Sequence, residues 1–102
     1  MKSYKLYFTY ILLCNDGTYY TGYTTDVDRR VKRHNSGIAS KYTRCRRPVK
    51  LVYVEKFDDQ SSALKREYQI KQLTKTQKCE LVLSGRKQFR KILKNNWYKN
   101  KT

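Results

Sequence analysis

Apolar and polar positions along the chain follow two periods, one typical of strands and one typical of helices. Tyr7–Leu13, YFTYILL, is rich in β-branched and aromatic residues and predicts a strand. Thr18–Thr24 predicts the returning strand of a hairpin, because Asn15–Gly17 has the composition of a turn. A third run, VKLVYVEKF from Val49, predicts a central, well-buried strand.

Each of the first three predicted helices follows a residue that suits an N-cap. These helices and their caps are about 27–35 after Asp26, about 62–73 after Asp59 or Ser61, and a short helix after Thr74 that ends before Gly85. Residues 38–48 predict a loop, and a last basic helix is expected over 87–95. The order β-β-α-β-α-α indicates a small α/β (α+β) fold with a three-stranded sheet flanked by helices.

Two residues of the first helix lie beside its apolar stripe. At about 100° per residue, Arg30 and His34 border the stripe that begins at Val27. The other basic residues of this helix face water: Arg29, Lys32 and Arg33. The pattern alone favours an Arg30 whose stem covers the edge of the core and a His34 that is a hydrogen-bonded boundary histidine.

A carboxylate interrupts the apolar stripe of the second helix. In the helical projection Glu67 lies in the middle of the stripe formed by Ile70, Ala63 and Leu64. Burying a carboxylate there is costly unless it is paired, hydrogen-bonded or bound to a metal. Two interpretations stay open: an i,i+4 ion pair with Lys71, or a carboxylate kept for function.

Gly22 makes the register of the hairpin matter. A two-residue turn would place Tyr10 opposite Tyr23, whereas a three-residue loop over 15–17 places Tyr10 opposite Gly22. In the second case Tyr20 stands on the same face as Tyr10. We predict the three-residue loop, because the missing side chain then leaves room for a ring or for a ligand.

Composition narrows the class of protein. The chain has 102 residues, enough for one domain, and 24 Lys and Arg against 8 Asp and Glu give a net charge of +16. Such a basic excess points to nucleic acid before an anionic membrane. There is no membrane-length apolar run and no signal-peptide pattern, so a cytoplasmic protein is expected. Three widely spaced cysteines and a single histidine disfavour a disulfide framework and a zinc site.

The tyrosines, Arg30, His34 and Glu67 together form a familiar ordered pattern. FTY at 8–10 and YTG at 20–22, followed by these three residues, resemble the GIY-YIG nuclease family over roughly residues 5–83. The stretches GTYYTGYTTDVDRR, HNSG, KYTRCRRPVKLVY and ALKREYQIKQL resemble its subgroup of small stand-alone bacterial proteins. The chain departs from the family pattern where Phe8 replaces the first glycine and where Tyr23 replaces a lysine that some members carry. A late asparagine that many members have is also missing from CELVLSG.

The resemblance implies an endonuclease that hydrolyses phosphodiester bonds of DNA with one divalent cation, Mg²⁺ or Mn²⁺, in DNA repair or processing. It assigns Glu67 as the metal ligand and Arg30 as the contact to the scissile phosphate. Tyr10 and Tyr20 would orient or deprotonate the attacking water, and His34 would assist proton transfer or contact phosphate. Gly22 would clear the face on which the tyrosines stand.

The basic loop and the C-terminal helix leave other functions open. Nucleic-acid contacts are expected from Tyr23 and from five residues of the loop: Lys41, Tyr42, Arg44, Arg46 and Arg47. A non-catalytic nucleic-acid-binding module is one alternative, and an accessory that docks on a repair complex through Phe89, Ile92 and Leu93 is another. We expect residues 1–85 to form the nuclease-like part and 86–102 a basic helix and tail of the same domain, with a monomer favoured.

Overall fold

The computed structural model describes residues 5–86, and within them three strands and four helices. The strands are β1 (Tyr7–Leu13), β2 (Tyr19–Thr24) and β3 (Lys50–Phe57). The helices are α1 (Val27–Asn35), α2 (Lys41–Arg44), α3 (Gln60–Lys71) and α4 (Lys75–Ser84). The predicted order of elements is confirmed, and α2 is an addition to it. The helix expected over 87–95, with its apolar residues, lies outside the described residues.

The strands form one antiparallel sheet in the order β2-β1-β3. The central strand is therefore β1, which is buried from Phe8 to Leu12. The prediction that the third strand is central was wrong, since β3 is an edge strand with only Tyr53 and Val54 fully buried. Its β-branched run reports a fit to a pleated, half-buried surface and carries no information about strand order.

Each face of the sheet is covered by a different set of helices. Phe8, Tyr10 and Leu12 point to one face, where Val27 of α1 joins their cluster. Ile11 points to the other face and packs with Tyr53 and with Ile70 of α3. We call these the α1 face and the α3 face.

The predicted helix caps are confirmed at three helices. Asp26 accepts a hydrogen bond of 3.1 Å from the backbone N–H of Arg29 and so begins α1. Asp59 accepts from the N–H of Ser62 at 2.8 Å, which begins α3 two residues earlier than predicted. Thr74 begins α4 with a reciprocal capping box that includes Gln77.

Part of the segment predicted as a loop is helical. Ser40 accepts a hydrogen bond of 3.1 Å from the N–H of Tyr42 and caps the four-residue helix α2. Gly37, with φ of 84°, lets the chain turn back after α1. The polar composition of 38–48 hid α2, because its one buried residue, Thr43, is itself polar.

No helix of the chain between residues 5 and 86 is long and apolar enough to cross a membrane.

Candidate functional site

The hairpin has the register that Gly22 indicated. Gly17 has φ of 83° in the three-residue loop, and Tyr10 lies opposite Gly22 while Leu12 lies opposite Tyr20. A Cβ atom built on Gly22 would lie 2.6 Å from Cζ of Tyr10, closer than real contacts allow. The missing side chain therefore makes room for the Tyr10 ring, and the predicted register is confirmed.

A chain of buried polar side chains runs from β1 through α1 to α2. The hydroxyl of Tyr10 lies 2.8 Å from Nε2 of His34, and Nδ1 of His34 lies 2.8 Å from Oγ1 of Thr43. The Thr43 hydroxyl in turn donates to the carbonyl of Ser40 at 3.4 Å. Tyr10, His34 and Thr43 are all 0% exposed, so water does not compete for the two hydrogen bonds that join these side chains.

The direction of these hydrogen bonds follows from the last one. Because the Thr43 proton points to Ser40, Oγ1 accepts from Nδ1–H of His34. Nε2 then carries the free lone pair and accepts from the Tyr10 hydroxyl. This tautomer is assigned from the hydrogen-bond network. His34 is more than the boundary histidine that the helical projection indicated, since it connects three elements.

Burial sets the protonation of the pair. It lowers the pKa of His34 to about 4, and the positive charge of Arg30 acts in the same direction. Burial also raises the pKa of the Tyr10 hydroxyl above its usual range, and the nearby Tyr20 adds to the rise. Both side chains are therefore neutral at neutral pH.

Two other predicted site residues act on the pKa of Tyr10. The positive charge of Arg30 lowers the pKa of Tyr10 in part, and the negative charge of Glu67 raises it further. Arg30 is half-buried and lines a cleft beside α1 with a volume of about 310 Å³. Arg30 thus lines the open cleft and also acts electrostatically on the buried Tyr10–His34 pair.

Aromatic rings continue from His34 to the surface. The Tyr20 ring centroid lies 5.0 Å from that of His34, in an edge-on arrangement, and 5.9 Å from that of Tyr42. Tyr42 is 37% exposed, and the guanidinium carbon of Arg46 lies 3.9 Å from its ring centroid. The half-buried Tyr20 is therefore the outer tyrosine of the site and Tyr10 the inner one.

Glu67 is flanked on one side by the buried Ala63 and Ile70, whereas Leu64, the apolar residue expected on its other side, is 42% exposed. Its side chain is 20% exposed, and Nζ of Lys71 lies 3.3 Å from Oε2. The i,i+4 ion pair that the sequence left open is thus formed. Within residues 5–86 no group of three or more His, Cys, Asp or Glu side chains is arranged to hold a metal.

Two arginines that were expected to contact nucleic acid are held by the chain itself. Arg46 bonds Asp16 Oδ2 through Nε at 3.0 Å and the carbonyl of Tyr42 through Nη1 at 2.9 Å. Arg47 donates from Nε to the carbonyl of Arg44 at 2.8 Å. These bonds join the hairpin turn, α2 and the segment after it.

The remaining predicted contact residues are placed differently from one another. Lys41 and Arg44 are exposed on α2. Tyr23 is half-buried, and its ring stacks on that of Tyr7 with centroids 6.3 Å apart. Since its register partner is Thr9, Tyr23 stands on the α3 face, opposite Tyr10.

Sequence reasoning missed Thr43. The Lys, Arg and Tyr residues around it were predicted to contact nucleic acid, whereas Thr43 was not predicted as a site residue. The local signal is present, since Ser40 caps α2 and three residues later Thr43 completes its first turn. The bond to His34, nine residues earlier, becomes visible only in the tertiary structure.

Comparisons with known proteins bear on the family and the fold of the chain. The family model of the GIY-YIG catalytic domain matches residues 6–80. A UPF0213 protein of Halobacterium salinarum is 58% identical over 73 residues, which are 72% of this chain and 95% of that protein. A UPF0213 protein of Staphylococcus epidermidis is 53% identical over 79 residues, 78% of this chain and 96% of that protein.

Two solved structures are also similar. The solution NMR structure of a UPF0213 protein from Bacillus halodurans has a TM-score of 0.54 and 47% identity, and the match covers 79% of this chain and 86% of that chain. That of a protein from E. faecalis has a TM-score of 0.55 and 43% identity, over 82% and 90%.

Proposed function

The chain belongs to the GIY-YIG family, and from that premise we propose that it is an endonuclease that hydrolyses phosphodiester bonds of DNA. The family's catalytic domain is that of a nuclease superfamily, which implies a nucleic-acid substrate. The observation that carries the proposal is the position of Arg30. This residue lines the open cleft and also acts on the buried Tyr10–His34 pair.

Arg30 would hold the scissile phosphate. Its planar guanidinium matches two phosphate oxygens at once, which a lysine cannot do. Half-burial strengthens this interaction, because the surrounding dielectric is lower than that of water. As negative charge grows on the phosphate in the transition state, the fixed guanidinium would offset it.

The tyrosines and His34 would position the attacking water. Tyr10 is a neutral phenol with a raised pKa, so by itself it is a poor base. Because Tyr10 and His34 are both 0% exposed, neither would take the proton of the water directly. Their hydrogen bond would instead hold the pair against the ring of Tyr20, which lies 5.0 Å from that of His34. Tyr20, half-buried on the same face, would orient the water, and Thr43 would keep Nδ1 protonated.

Glu67 is the residue that would hold a divalent cation. One carboxylate completed by water suits Mg²⁺ or Mn²⁺. The site fits a cation, since the ammonium of Lys71 already lies 3.3 Å from Oε2. When bound, the ion would supply positive charge beside the phosphate and make a nearby water more acidic.

A cleavage panel tests the proposal. Branched, nicked and single-stranded DNA would be incubated with the full chain and Mg²⁺ or Mn²⁺. Arg30→Ala is expected to lower the cleavage rate by roughly 10²–10³-fold, because it removes a charge that stabilises the transition state. Glu67→Ala should do the same, while Lys65→Ala, an exposed change on α3, serves as the matched control. Cleavage that both site variants leave intact would sink the assignment.

A second candidate function is a nucleic-acid-binding module without turnover. The Glu67–Lys71 ion pair favours it, since the single candidate metal ligand is already neutralised. Binding of the same DNA panel without cleavage under every metal tested would establish this alternative.

A further inference from the structure

Three arginines of α1 line one cleft, and only one of them, Arg30, has a role in the proposed active site. Arg29, Arg30 and Arg33 line its wall. Arg29 and Arg33 are exposed, and the helical projection had left them simply facing water. At about 100° per residue, the three occupy a contiguous arc of about 100° on α1, so their guanidinium groups share one side of the helix.

The described part of the chain neutralises the positive charge of this cleft only in part, since three arginines and one carboxylate, Asp26, line it. Asp28 pairs with Lys32 at 3.8 Å instead. Asp26 also lines the cleft, and one of its carboxylate oxygens accepts the N-cap hydrogen bond from the backbone N–H of Arg29. Across residues 5–86 no carboxylate forms an ion pair with any of the three arginines. Arg46 and Arg47, by contrast, are tied to Asp16 and to backbone carbonyls.

Two apolar residues, Ile38 and Ala39, also line the cleft. Ile38 is 63% exposed, and it stands beside Ala39 at the edge of the cleft. Its position is fixed, because its backbone N–H donates to the carbonyl of Arg33 at 3.2 Å after the chain turns at Gly37. A volume of about 310 Å³ is at the lower end of the range for small-ligand clefts. Cationic groups and apolar side chains in one cleft suit a ligand with both an anionic and an apolar part.

We propose that this cleft is a subsite for the nucleic-acid strand next to the scissile phosphate. Arg29 and Arg33, one helical turn apart, bind the phosphate that follows the one held by Arg30, and Ile38 contacts the adjoining sugar or base. The subsite rests on the proposed function, in which Arg30 holds the scissile phosphate. It moves the expected nucleic-acid contacts from the arginines of the loop to those of α1.

Binding of fluorescent oligonucleotides by the full chain tests the subsite without hydrolysis, in the presence of a metal chelator. The affinity for duplex and single-stranded DNA would be measured over a series of NaCl concentrations. Removing both guanidiniums, Arg29→Ala with Arg33→Ala, should weaken binding and reduce the slope of log K against log salt by about 0.9 on duplex DNA, because the two residues share one phosphate. The matched control, Lys50→Ala with Lys65→Ala, removes two exposed charges away from the cleft and should change the slope much less.

A substitution at Ile38 gives an independent readout. Ile38→Ser should lower the affinity several-fold and leave the salt slope unchanged, because it removes an apolar contact and no charge. Equal slopes for the arginine variant and the lysine control would overturn the subsite. So would inorganic phosphate or a nucleoside 5′-monophosphate that competes as well as the oligonucleotide, since the cleft would then be a site for a free anion.

The outcomes separate the subsite from the nuclease assignment. Metal-dependent cleavage by the unchanged chain, together with equal slopes for the two double variants, overturns the subsite alone. A reduced slope for the arginine variant, with no cleavage in any metal, overturns the nuclease assignment and supports the cleft as a strand-binding site.

Discussion

At the scale of single residues, Thr43 holds His34 in one tautomer. Thr43→Val keeps the shape of the side chain but removes the acceptor of Nδ1–H, which leaves a buried donor unpaired. We expect a loss of about 1–3 kcal/mol in the free energy of unfolding, measured in urea. Thr43→Ser keeps the hydroxyl and is the control. Nitrogen NMR shifts of His34 should reveal the disturbed tautomer in the valine variant alone, and unchanged shifts there would contradict the assigned bonds.

The buried His34 should make stability depend on pH. Its pKa is about 4 in the folded chain, below the ordinary 6.5, so the unfolded chain binds more protons between these values. Its contribution is then complete above pH 6.5 and is lost as the pH falls towards 4. The full shift corresponds to about 3 kcal/mol. Urea unfolding between pH 4 and 7.5 should show this trend, and His34→Gln should flatten the part that His34 causes. Parallel curves for the two proteins would contradict a neutral buried His34.

Gly22 is required by its neighbour rather than by its own backbone. In Gly22→Ala the new Cβ collides with the Tyr10 ring, which is packed on all sides. Overpacking of this kind costs about 1–3 kcal/mol in the free energy of unfolding. Thermal and urea denaturation would measure it, with the double variant Gly22→Ala and Tyr10→Leu as the comparison. If the alanine costs as much beside leucine as beside tyrosine, the collision is not the cause.

At the scale of elements, α3 brings a cation to its own carboxylate. Lys71 reaches Glu67 only because both lie on one side of the helix, one turn apart. A divalent cation at Glu67 must compete with this ammonium. We expect Lys71→Ala to bind Mn²⁺ roughly twofold to fivefold more tightly, in line with the modest energy of a partly exposed ion pair. Calorimetric titration would measure the affinity, and Lys71→Arg would keep the competitor. Equal affinities for the alanine and arginine variants would argue against a cation site at Glu67.

The elements also show which predictions local sequence supports. The caps at Asp26, Asp59 and Thr74 and the turn at Gly17 were predicted, because each depends on a few neighbouring residues. The position of β3 at the edge was not, since strand order depends on long-range pairing with β1. The helix α2 was missed because its four residues are too few to show an amphipathic period.

At the scale of the whole molecule, the charge of +16 should oppose folding. Folding brings the positive groups together, and only four ion pairs are formed within residues 5–86. Added salt screens this repulsion. We expect the melting temperature, measured by calorimetry, to rise as NaCl is increased from about 20 to about 300 mM, because the screening length falls over this range. Sulfate, which binds to guanidinium groups, should raise it further. A melting temperature that falls with salt would mean that the ion pairs outweigh the repulsion.

The sequence by itself determined what depends on near neighbours. The order of elements, the hairpin register and the exposure of Arg29, Lys32 and Arg33 all follow from turns, caps and periodicity. The set of candidate site residues followed from a resemblance, which depends on the order and spacing of motifs along the chain and not on contacts in space.

Only the tertiary structure decided which side chains meet. The bond from His34 to Thr43 and the commitment of Arg46 to Asp16, 30 residues away, follow from how the loop packs on the hairpin. That Arg29, Arg30 and Arg33 form no ion pair within residues 5–86 also follows from the fold, since Asp28 pairs with Lys32 instead. The physical reason is the same in each case. A charged or polar side chain takes its partner from whatever the fold brings within hydrogen-bonding distance, and a one-dimensional pattern does not contain those distances.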